Sequence, residues 1–385
     1  MMRLPELIRA LTSRRALVAA FVFVSLLVGL TIREVFPQYS VEHLRKRGHR
    51  WQDNPSFLIG DCPFYRATLI SLLEDGDLDI KNNVARRQYP IESNIAQGTD
   101  GAWYPKHPIL MPIAALPFYA IARDRGLLAF NVVQLSLLLT LIWLGACRYT
   151  STTLATALTF WFTYGTMLHS AAYNFAPDVF STLLVTAGVV ALLSQRAALA
   201  GVMLGLAVWA KWTNLVFLPL PALYLCLHRD FTRLLRFVGA ASIPMLGLFA
   251  LNYHMFGSPF TTPYDRVLVA GDGGLVLEAS HRTFFVLPFW SGLWQQLSDR
   301  QVGLLVACPP LLLAPYGAYL LTQRAAASEA LLITSLCAAQ LATLAKYEYW
   351  WVSSYGPRFL LSVVTLSALL VAPVLDRLFA GRRIS

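Results

Sequence analysis

Charged residues are scarce in this sequence. Asp, Glu, Lys and Arg make up 14% of its 385 residues, whereas hydrophobic residues make up 56%. A soluble domain needs about 25% charged residues to cover its surface. The composition therefore excludes an ordinary soluble protein and indicates an integral membrane protein.

Several familiar site patterns are missing as well. The sequence has five cysteines, and only Cys62 lies outside the hydrophobic runs or their ends, so no disulfide framework is predicted. No Gly-rich phosphate loop and no Ser-His-Asp order stands out. His169, His254 and His281 have no partner at metal-ligand spacing.

The positive charge is spread between hydrophobic runs. The formal net charge is +10, but Lys and Arg do not cluster as they do in nucleic-acid-binding domains. Basic residues between membrane spans are typical of loops that stay in the cytoplasm. We expect no nucleic-acid partner and predict a multi-pass protein of the inner (plasma) membrane.

The longest polar stretch follows the first apolar run, residues 16–32. Arg3, Arg9, Arg14 and Arg15 precede that run, so its helix is expected to run from the cytoplasm outwards.

A first external loop, residues 34–125, is then predicted. Within it, Phe64–Leu73 and Tyr89–Ile95 mix apolar and polar residues and predict amphipathic helices on the membrane surface.

The apolar stretch 108–122 poses the main topological question. Fifteen helical residues reach about 22 Å, short of the roughly 30 Å hydrocarbon core. Pro108, Pro112 and Pro117 interrupt it further. We interpret it as an interfacial or re-entrant segment and not as a crossing.

With that choice, the arginines between later spans all fall on the cytoplasmic side. The sequence then predicts an all-α polytopic protein, a single membrane domain over residues 1–385, with ten spans and a second larger external loop at 254–301. Residues 198–227 are predicted to form two short helices that meet at Lys211. The other spans are 16–32, 127–146, 152–168, 178–194, 235–253, 302–321, 329–346 and 358–378.

Five ionisable residues fall at the external ends of spans or in external loops. They are Asp61, Asp178, Lys211, Glu348 and Arg358. Each alone is compatible with a solvated loop charge, but ionisable groups at membrane depth are costly and commonly functional. Their convergence on one side predicts a site there.

Short motifs around these residues carry a resemblance. They are G-D-C-P-F-Y at 60–65, Y-P-K-H-P at 104–108, G-V-M-L-G-L-A-V-W-A-K at 201–211, F-G-S-P at 256–259 and S-Y-G-P-R-F-L at 354–360, together with the Asp that opens the fourth span. This combination resembles the GT-C membrane glycosyltransferases, a superfamily that includes protein O-mannosyltransferases and the lipid A aminoarabinose transferase.

The resemblance implies a polyprenyl-phosphate sugar donor, an external active site and inversion at the anomeric carbon. It implies that Asp61 deprotonates the acceptor and that Asp178 orients the acceptor or a basic partner. Lys211 would face the donor phosphate, with Lys106 and His107 near it. The acceptor is expected to be an external lipid, glycan or protein.

Chemical reasoning and position in the chain add further residues to the predicted site. A phosphate leaving group gains charge in the transition state, so Arg358, at an external helix end, is a further candidate phosphate ligand. Interfacial anchoring is the ordinary explanation for an aromatic residue near a membrane. We nevertheless predict substrate contacts for Tyr65, Arg66, Tyr104, Glu348, Trp351 and Tyr355, and Trp103 and Trp350 are further candidates for stacking on a sugar.

Asp75-Gly76-Asp77-Leu78-Asp79 resembles both a D-x-D metal motif and the start of a calcium loop. It lacks the Gly at position 6 and the Glu at position 12 of that loop, so we expect a solvated turn. No cofactor is predicted, and a divalent metal has no support in the sequence.

Two other functions remain open. One is a transferase like the O-antigen ligases, which would use a diphosphate-linked donor and rely on Arg and His. The other is a flippase for lipids or polyprenyl-linked sugars, although transporters tend to show inverted repeats and charges at mid-span, and neither is evident here.

Overall fold

Long apolar helices dominate the computed structural model, which describes residues 14–32, 61–87, 94–271, 274–278, 284–351 and 356–379. The helices are α1 (Arg14–Gly29), α2 (Cys62–Ile70), α3 (Lys81–Arg87), α4 (Leu110–Ala146), α5 (Thr152–Tyr164), α6 (Leu168–Ala171), α7 (Pro177–Leu193), α8 (Ala197–Ala210), α9 (Pro219–Leu227), α10 (Phe231–Phe256), α11 (Phe289–Ser298), α12 (Leu304–Ala307), α13 (Ala314–Thr322), α14 (Ala327–Leu344) and α15 (Leu361–Phe379).

Within the described residues, four helical segments are long and apolar enough to cross a membrane. They are Leu110–Ala146, Phe231–Phe256, Ala327–Leu344 and Arg358–Phe379, and four shorter apolar segments of 10–17 residues accompany them. The helix bounds follow most of the predicted spans, but the predicted span 302–321 is divided into α12, a 3-10 turn at Pro309–Leu313 and α13. The count of ten crossings stays a prediction.

Helix α4 is a hairpin of two limbs. The chain leaves helical geometry at Ala122 and Arg123, whose φ is +51°. In a straight helix Phe118 and Phe130 would lie about 18 Å apart, yet their ring centroids are 5.5 Å apart. Gly126 permits the reversal, because a Cβ there would lie 1.9 Å from the carbonyl oxygen of Phe118. The stretch 108–122 is thus separate from the following limb, and whether it crosses a membrane stays a prediction.

The G-x-x-x-G pair on α8 serves close packing, as glycines at this spacing generally do. A Cβ at Gly201 would lie 2.2 Å from the carbonyl oxygen of Phe237, and one at Gly205 would lie 2.5 Å from Pro244 Cγ. Helix α8 therefore lies directly against α10.

A small antiparallel sheet corrects the all-α prediction. Its strands are β1 (Ile95–Gln97), β2 (Trp103–Pro105), β3 (Val267–Gly271) and β4 (Gly274–Glu278), in the order β2-β1-β3-β4. Ile95 pairs with Leu268, so the sheet joins the two predicted external loops. Strand pairing between distant segments has no local signal in either segment. Of the helix predicted at Tyr89–Ile95, residues 89–93 lie outside the described residues and Ile95 opens a strand.

Helix α2 also differs from its prediction. All nine of its residues are buried, and it continues as a π-helical turn over Ser71–Asp75. A helix enclosed on every side does not lie on a membrane surface as an amphipathic helix would. Its polar residues face partners inside the protein.

Three helix ends meet where the candidate site lies. Helix α7 begins at Pro177, α8 ends at Ala210, and the 3-10 turn Arg358–Leu360 leads into α15. The chain breaks at Lys211, which is extended (φ −160°, ψ 117°), before a 3-10 segment at Trp212–Phe217 and then α9. The predicted meeting of two short helices at Lys211 is confirmed.

Candidate active site

Asp61 lies at the centre of a charged cluster. It occupies the N-cap position of α2, but its side chain does not cap that helix. Its Oδ2 lies 3.0 Å from His107 Nε2 and 3.6 Å from an Arg358 amino nitrogen. Both positively polarised groups thus approach the same carboxylate oxygen.

Asp178 forms the second half of the cluster. Its Oδ1 accepts a 2.6 Å hydrogen bond from Lys211 Nζ, and its Oδ2 lies 3.9 Å from Arg358. The Asp178 side chain is 2% exposed. Arg358 therefore stands between two carboxylates, and Asp178 fixes both cations in place.

The helix ends favour two of these charges and oppose the third. Asp178 lies in the first turn of α7, where the helix dipole favours an anion, and Lys211 follows the last residue of α8, where it favours a cation. Arg358 is a cation at the start of a helix, which the dipole disfavours. Its position is stabilised by the two carboxylates.

Electrostatics keep Asp61 ionised. Burial by itself raises the pKa of the Asp61 carboxyl, but His107, Arg358 and Lys106 outweigh that effect and hold the pKa well below its usual range. Burial lowers the pKa of Lys106, nearby Asp61 opposes that shift and Arg358 adds to it, and the net pKa is below its ordinary value. Burial is thus the main cause of the lowered Lys106 pKa, and Arg358 is a smaller one.

A cavity of about 510 Å³ opens beside the cluster. Lys106, His107 and Lys211 line it. Most of its remaining wall is aromatic or aliphatic: Trp212, Leu215, Phe260, Tyr264, Phe284, Phe285, Tyr347 and Phe359. A cavity with cationic groups and apolar walls suits an amphiphile with an anionic head.

A smaller cleft lies next to this cavity. It has a volume of about 30 Å³ and is lined by both carboxylates, Tyr65 and Arg358. His107, Lys211, Tyr264 and Phe359 line both spaces. These four shared residues therefore separate the two carboxylates from the larger cavity.

The structure brings seven predicted site residues together and leaves others elsewhere. Asp61, Tyr65, Lys106, His107, Asp178, Lys211 and Arg358 line one or both spaces. Arg66 lines neither. Its guanidinium binds Asp124 through two hydrogen bonds of 2.5 and 2.7 Å and joins α2 to the turn of the α4 hairpin.

Three of the remaining predicted substrate contacts line neither space. Tyr104 is buried against Phe256. Glu348 and Trp351 are exposed. Tyr355 lies outside the described residues. Of the two candidate stacking tryptophans, Trp103 lies under the Lys81 ammonium and Trp350 is buried.

The acidic turn at Asp75–Asp79 is used for local structure. Asp75 accepts hydrogen bonds from Asn82 and Asn83, Asp77 accepts one from Ser71, and the Asp79 side chain accepts from the backbone of Lys81 and Trp103. Within the described ranges, no group of three or more His, Cys, Asp or Glu residues lies close enough to hold a metal ion.

Two site residues escape the sequence reading. Tyr264 forms a 2.7 Å hydrogen bond with His107 Nδ1. Phe359 lies under Lys211, whose Nζ is 3.8 Å from the ring centroid, and beside the Arg358 guanidinium. Phe359 follows Arg358 directly in S-Y-G-P-R-F-L, which is a usable signal. Tyr264 has none beyond its place in the second loop.

Two solved structures resemble nearly the whole of this chain. ArnT from Cupriavidus metallidurans bound to undecaprenyl phosphate matches with a TM-score of 0.56 and 14% sequence identity, over 95% of this chain and 61% of that chain. The apo state of that ArnT matches with a TM-score of 0.54 and 16% identity, over 96% and 60%. This chain therefore spans about three fifths of the length of ArnT.

No protein-family model matches the sequence, and no curated protein matches it either. At 14–16% identity, what the similarity establishes is the fold. The chain has the GT-C fold of ArnT, the fold that its short motifs predict.

Proposed function

We propose that the protein is a membrane glycosyltransferase that moves a sugar from a polyprenyl-phosphate donor to an external lipid, glycan or protein acceptor. The observation that carries the proposal is the buried cluster of two carboxylates and several cations beside an aromatic-walled cavity. Each component has a task in such a transfer.

The cavity supplies the site for the sugar donor. Its apolar walls suit the polyprenyl chain, Lys106 and Lys211 supply positive charge where the phosphate would lie, and His107 lines the cavity beside them. The undecaprenyl phosphate in the similar ArnT structure supports this assignment. As the bond to the sugar breaks, negative charge grows on the phosphate, and fixed cations lower that barrier.

Asp61 is the proposed base. His107 and Arg358 both approach Oδ2, so Oδ1 is the oxygen that would take the proton of the acceptor. A carboxyl with a strongly lowered pKa is ionised but weakly basic. The donor phosphate would draw on the same cations and raise the basicity of Asp61 once the sugar donor is bound. Attack from the side opposite the phosphate would invert the anomeric carbon.

Asp178 is assigned a supporting role. Its contacts with Lys211 and Arg358 favour the orientation of basic partners over direct contact with the acceptor. It keeps two cations aimed at the phosphate when no ligand is bound.

The test uses the purified protein in nanodiscs with a panel of radiolabelled polyprenyl-phosphate sugars and an envelope lipid and glycan extract as acceptor. Release of polyprenyl phosphate and labelling of the extract are followed together. Asp61→Asn removes the base while keeping its shape, and it should lower release by about 10²- to 10⁴-fold while donor binding is retained.

Asp100→Asn is the matched control, because Asp100 is an exposed carboxylate in the same loop that accepts only a local backbone hydrogen bond in the described structure. Its rate should equal that of the native protein. An unchanged rate in Asp61→Asn would remove Asp61 from the mechanism. Movement of intact sugar donor across the bilayer without release would replace transfer by a flippase function.

A further inference from the structure

One hydrogen bond links the second external loop to the base. Tyr264 lies in the 3-10 turn Pro263–Asp265, and its hydroxyl is 2.7 Å from His107 Nδ1. The other ring nitrogen of His107, Nε2, lies 3.0 Å from Asp61 Oδ2. Tyr264, His107 and Asp61 therefore form a continuous chain of polar contacts.

The three groups can keep these contacts in more than one protonation state. The Asp61 carboxylate is ionised and can only accept, so a hydrogen on Nε2 favours the 3.0 Å approach, although this N–H is not directed at Oδ2 as in a hydrogen bond. At Nδ1, Tyr264 donates to a neutral imidazole and accepts from a protonated one, so the 2.7 Å contact exists in either state. Burial raises the pKa of Tyr264 well above its usual value, so its hydroxyl keeps its proton.

The turn that carries Tyr264 is held in place. Thr262 and Asp265 form a capping box, in which Asp265 Oδ2 accepts from the Thr262 backbone N–H at 2.9 Å and from its hydroxyl at 2.8 Å. Strand β3 follows two residues after Asp265 and pairs with β1 of the first loop. The tyrosine is thus fixed relative to the segment that carries His107.

We propose that Tyr264 is a positioning residue of the transfer reaction: it holds His107 against Oδ2 of Asp61, so that Oδ1 faces the acceptor. This inference rests on the proposed function, and it goes further by making the second external loop part of the active site. Without the tyrosine hydroxyl, the imidazole loses the polar contact that fixes Nδ1, and the orientation of Asp61 is less restricted.

Tyr264→Phe keeps the ring and removes only the hydroxyl. Loss of orientation at the base should lower kcat by about ten- to a hundredfold and leave KM for the sugar donor nearly unchanged, because the donor phosphate contacts remain. Tyr253→Phe is the control, since Tyr253 is an exposed tyrosine on α10, away from both spaces. It should match the native protein.

A double-mutant cycle separates positioning from direct contact. The amide nitrogen of Gln in His107→Gln can donate to Asp61 much as Nε2 does, but it makes no use of Tyr264. In that background Tyr264→Phe should cause little further loss. A full additional loss, or a rise in KM without a fall in kcat, would show that Tyr264 acts on the substrate directly and would overturn the proposal.

Nitrogen NMR of the labelled histidine side chains tests the pair without any turnover. The His107 Nδ1 resonance should move in Tyr264→Phe and stay in place in Tyr253→Phe. An unmoved resonance would refute the pairing even in an active protein. If the native protein releases no polyprenyl phosphate, the proposed function fails on its own, and the NMR result still decides whether Tyr264 orients His107.

Discussion

The two ends of the helical bundle use charge differently. Helices α7 and α15 begin at the candidate site and run about 25 and 28 Å to the other end. There, a second group of charges, which we call the distal cluster, joins the ends of α4, α13, α14 and α15. It consists of Arg148, Tyr149, Thr150, Arg324, Glu329 and Asp376.

Charges in the distal cluster are matched. Arg148 binds both oxygens of Glu329, which also accepts from Tyr149 at 2.7 Å. Arg324 binds Asp376 at 2.8 Å. Two guanidinium groups thus satisfy two carboxylates. Such pairs hold helix ends together, and nothing in their charge balance calls for a further ion.

Charges at the candidate site face an open space. Lys106, Lys211 and Arg358, together with His107, surround the two carboxylates of the cluster. A third carboxylate, Asp265, lines the cavity and accepts hydrogen bonds from Thr262 at Oδ2. Asp61 and Asp178 line the smaller cleft, whereas Lys106 and Lys211 line the cavity, so an anionic ligand in the cavity would meet their ammonium groups. The comparison teaches that a ligand site is marked by charges that face a cavity, and not by the number of ion pairs.

The same substitution at both ends gives the largest expected contrast. Arg358→Met should lower the transfer rate by about 10²- to 10³-fold, the usual loss when one group that stabilises a developing charge is removed. Arg324→Met should leave the rate near the native value and lower the thermal unfolding temperature. Both are measured in nanodiscs by polyprenyl phosphate release and by thermal unfolding. Equal rate losses in the two variants would show that the candidate site and the distal cluster do not differ in function.

A second contrast concerns affinity. Lys211→Met keeps most of the side-chain volume but removes the charge, and a hydrogen bond to a charged group contributes about 1.5–3 kcal/mol. Binding of polyprenyl phosphate should weaken about ten- to a hundredfold, which equilibrium binding to the nanodisc protein measures.

Because the change also leaves Asp178 with one fewer partner, Lys211→Met is compared with Lys211→Met/Asp178→Asn, which relieves the unpaired charge. Weakened binding in both variants would assign the effect to the ammonium group. Recovery of binding in the double variant would show that the loss came from the unpaired Asp178 carboxylate, which disturbs the fold, and not from the missing ammonium group.

Stability is the expected property of the distal cluster. Glu329→Gln replaces the carboxylate by a neutral amide and should lower the free energy of unfolding by about 1–3 kcal/mol, because Arg148 and Tyr149 then share one uncharged acceptor oxygen. Chemical unfolding of the purified protein measures this loss. The transfer rate per folded molecule should not change, and a rate loss would mean that the two ends are coupled.

Sequence patterns predicted the helical layout well for a physical reason. A helix that faces lipid must be continuously apolar, so its bounds are visible in composition. The prolines Pro108, Pro112 and Pro117 led us to treat residues 108–122 as separate from the next span. The reversal of the chain at Ala122–Arg123 was itself not predicted. The sheet between β1 and β3 was missed, because its pairing partners are more than 160 residues apart.

Part of the site was predictable from the energetic cost of burying charge near a membrane. Ionisable groups at membrane depth are costly and commonly functional, and this rule selected Asp61, Asp178, Lys211 and Arg358. Glu348 was selected by the same rule but is exposed and lines neither space. Arg66, a predicted substrate contact, pairs with Asp124 instead, and sequence alone does not separate these uses. Tyr264 escaped because tyrosines are common near membranes and its partner lies 157 residues away.

The smallest expected effect is a shift in pH dependence. The lowered pKa of Asp61 keeps the carboxylate ionised as the pH falls from 7 towards the ordinary carboxyl value of about 4. Stability from this ionised group is present above the unfolded-state pKa and is lost as the pH falls through the lower folded value. Arg358→Met removes one positive neighbour, so the pKa of Asp61 should rise towards its usual value.

The residual rate of Arg358→Met should therefore fall at a higher pH than the native rate does. The measurement is the ratio of the variant rate to the native rate at each pH, because other titrating groups, including the sugar donor, then largely cancel. Arg324→Met should give a constant ratio, since Arg324 belongs to the matched cluster at the far end. A constant ratio for Arg358→Met as well would mean that His107 and Lys106 alone keep Asp61 ionised, and Arg358 would then act only on the phosphate.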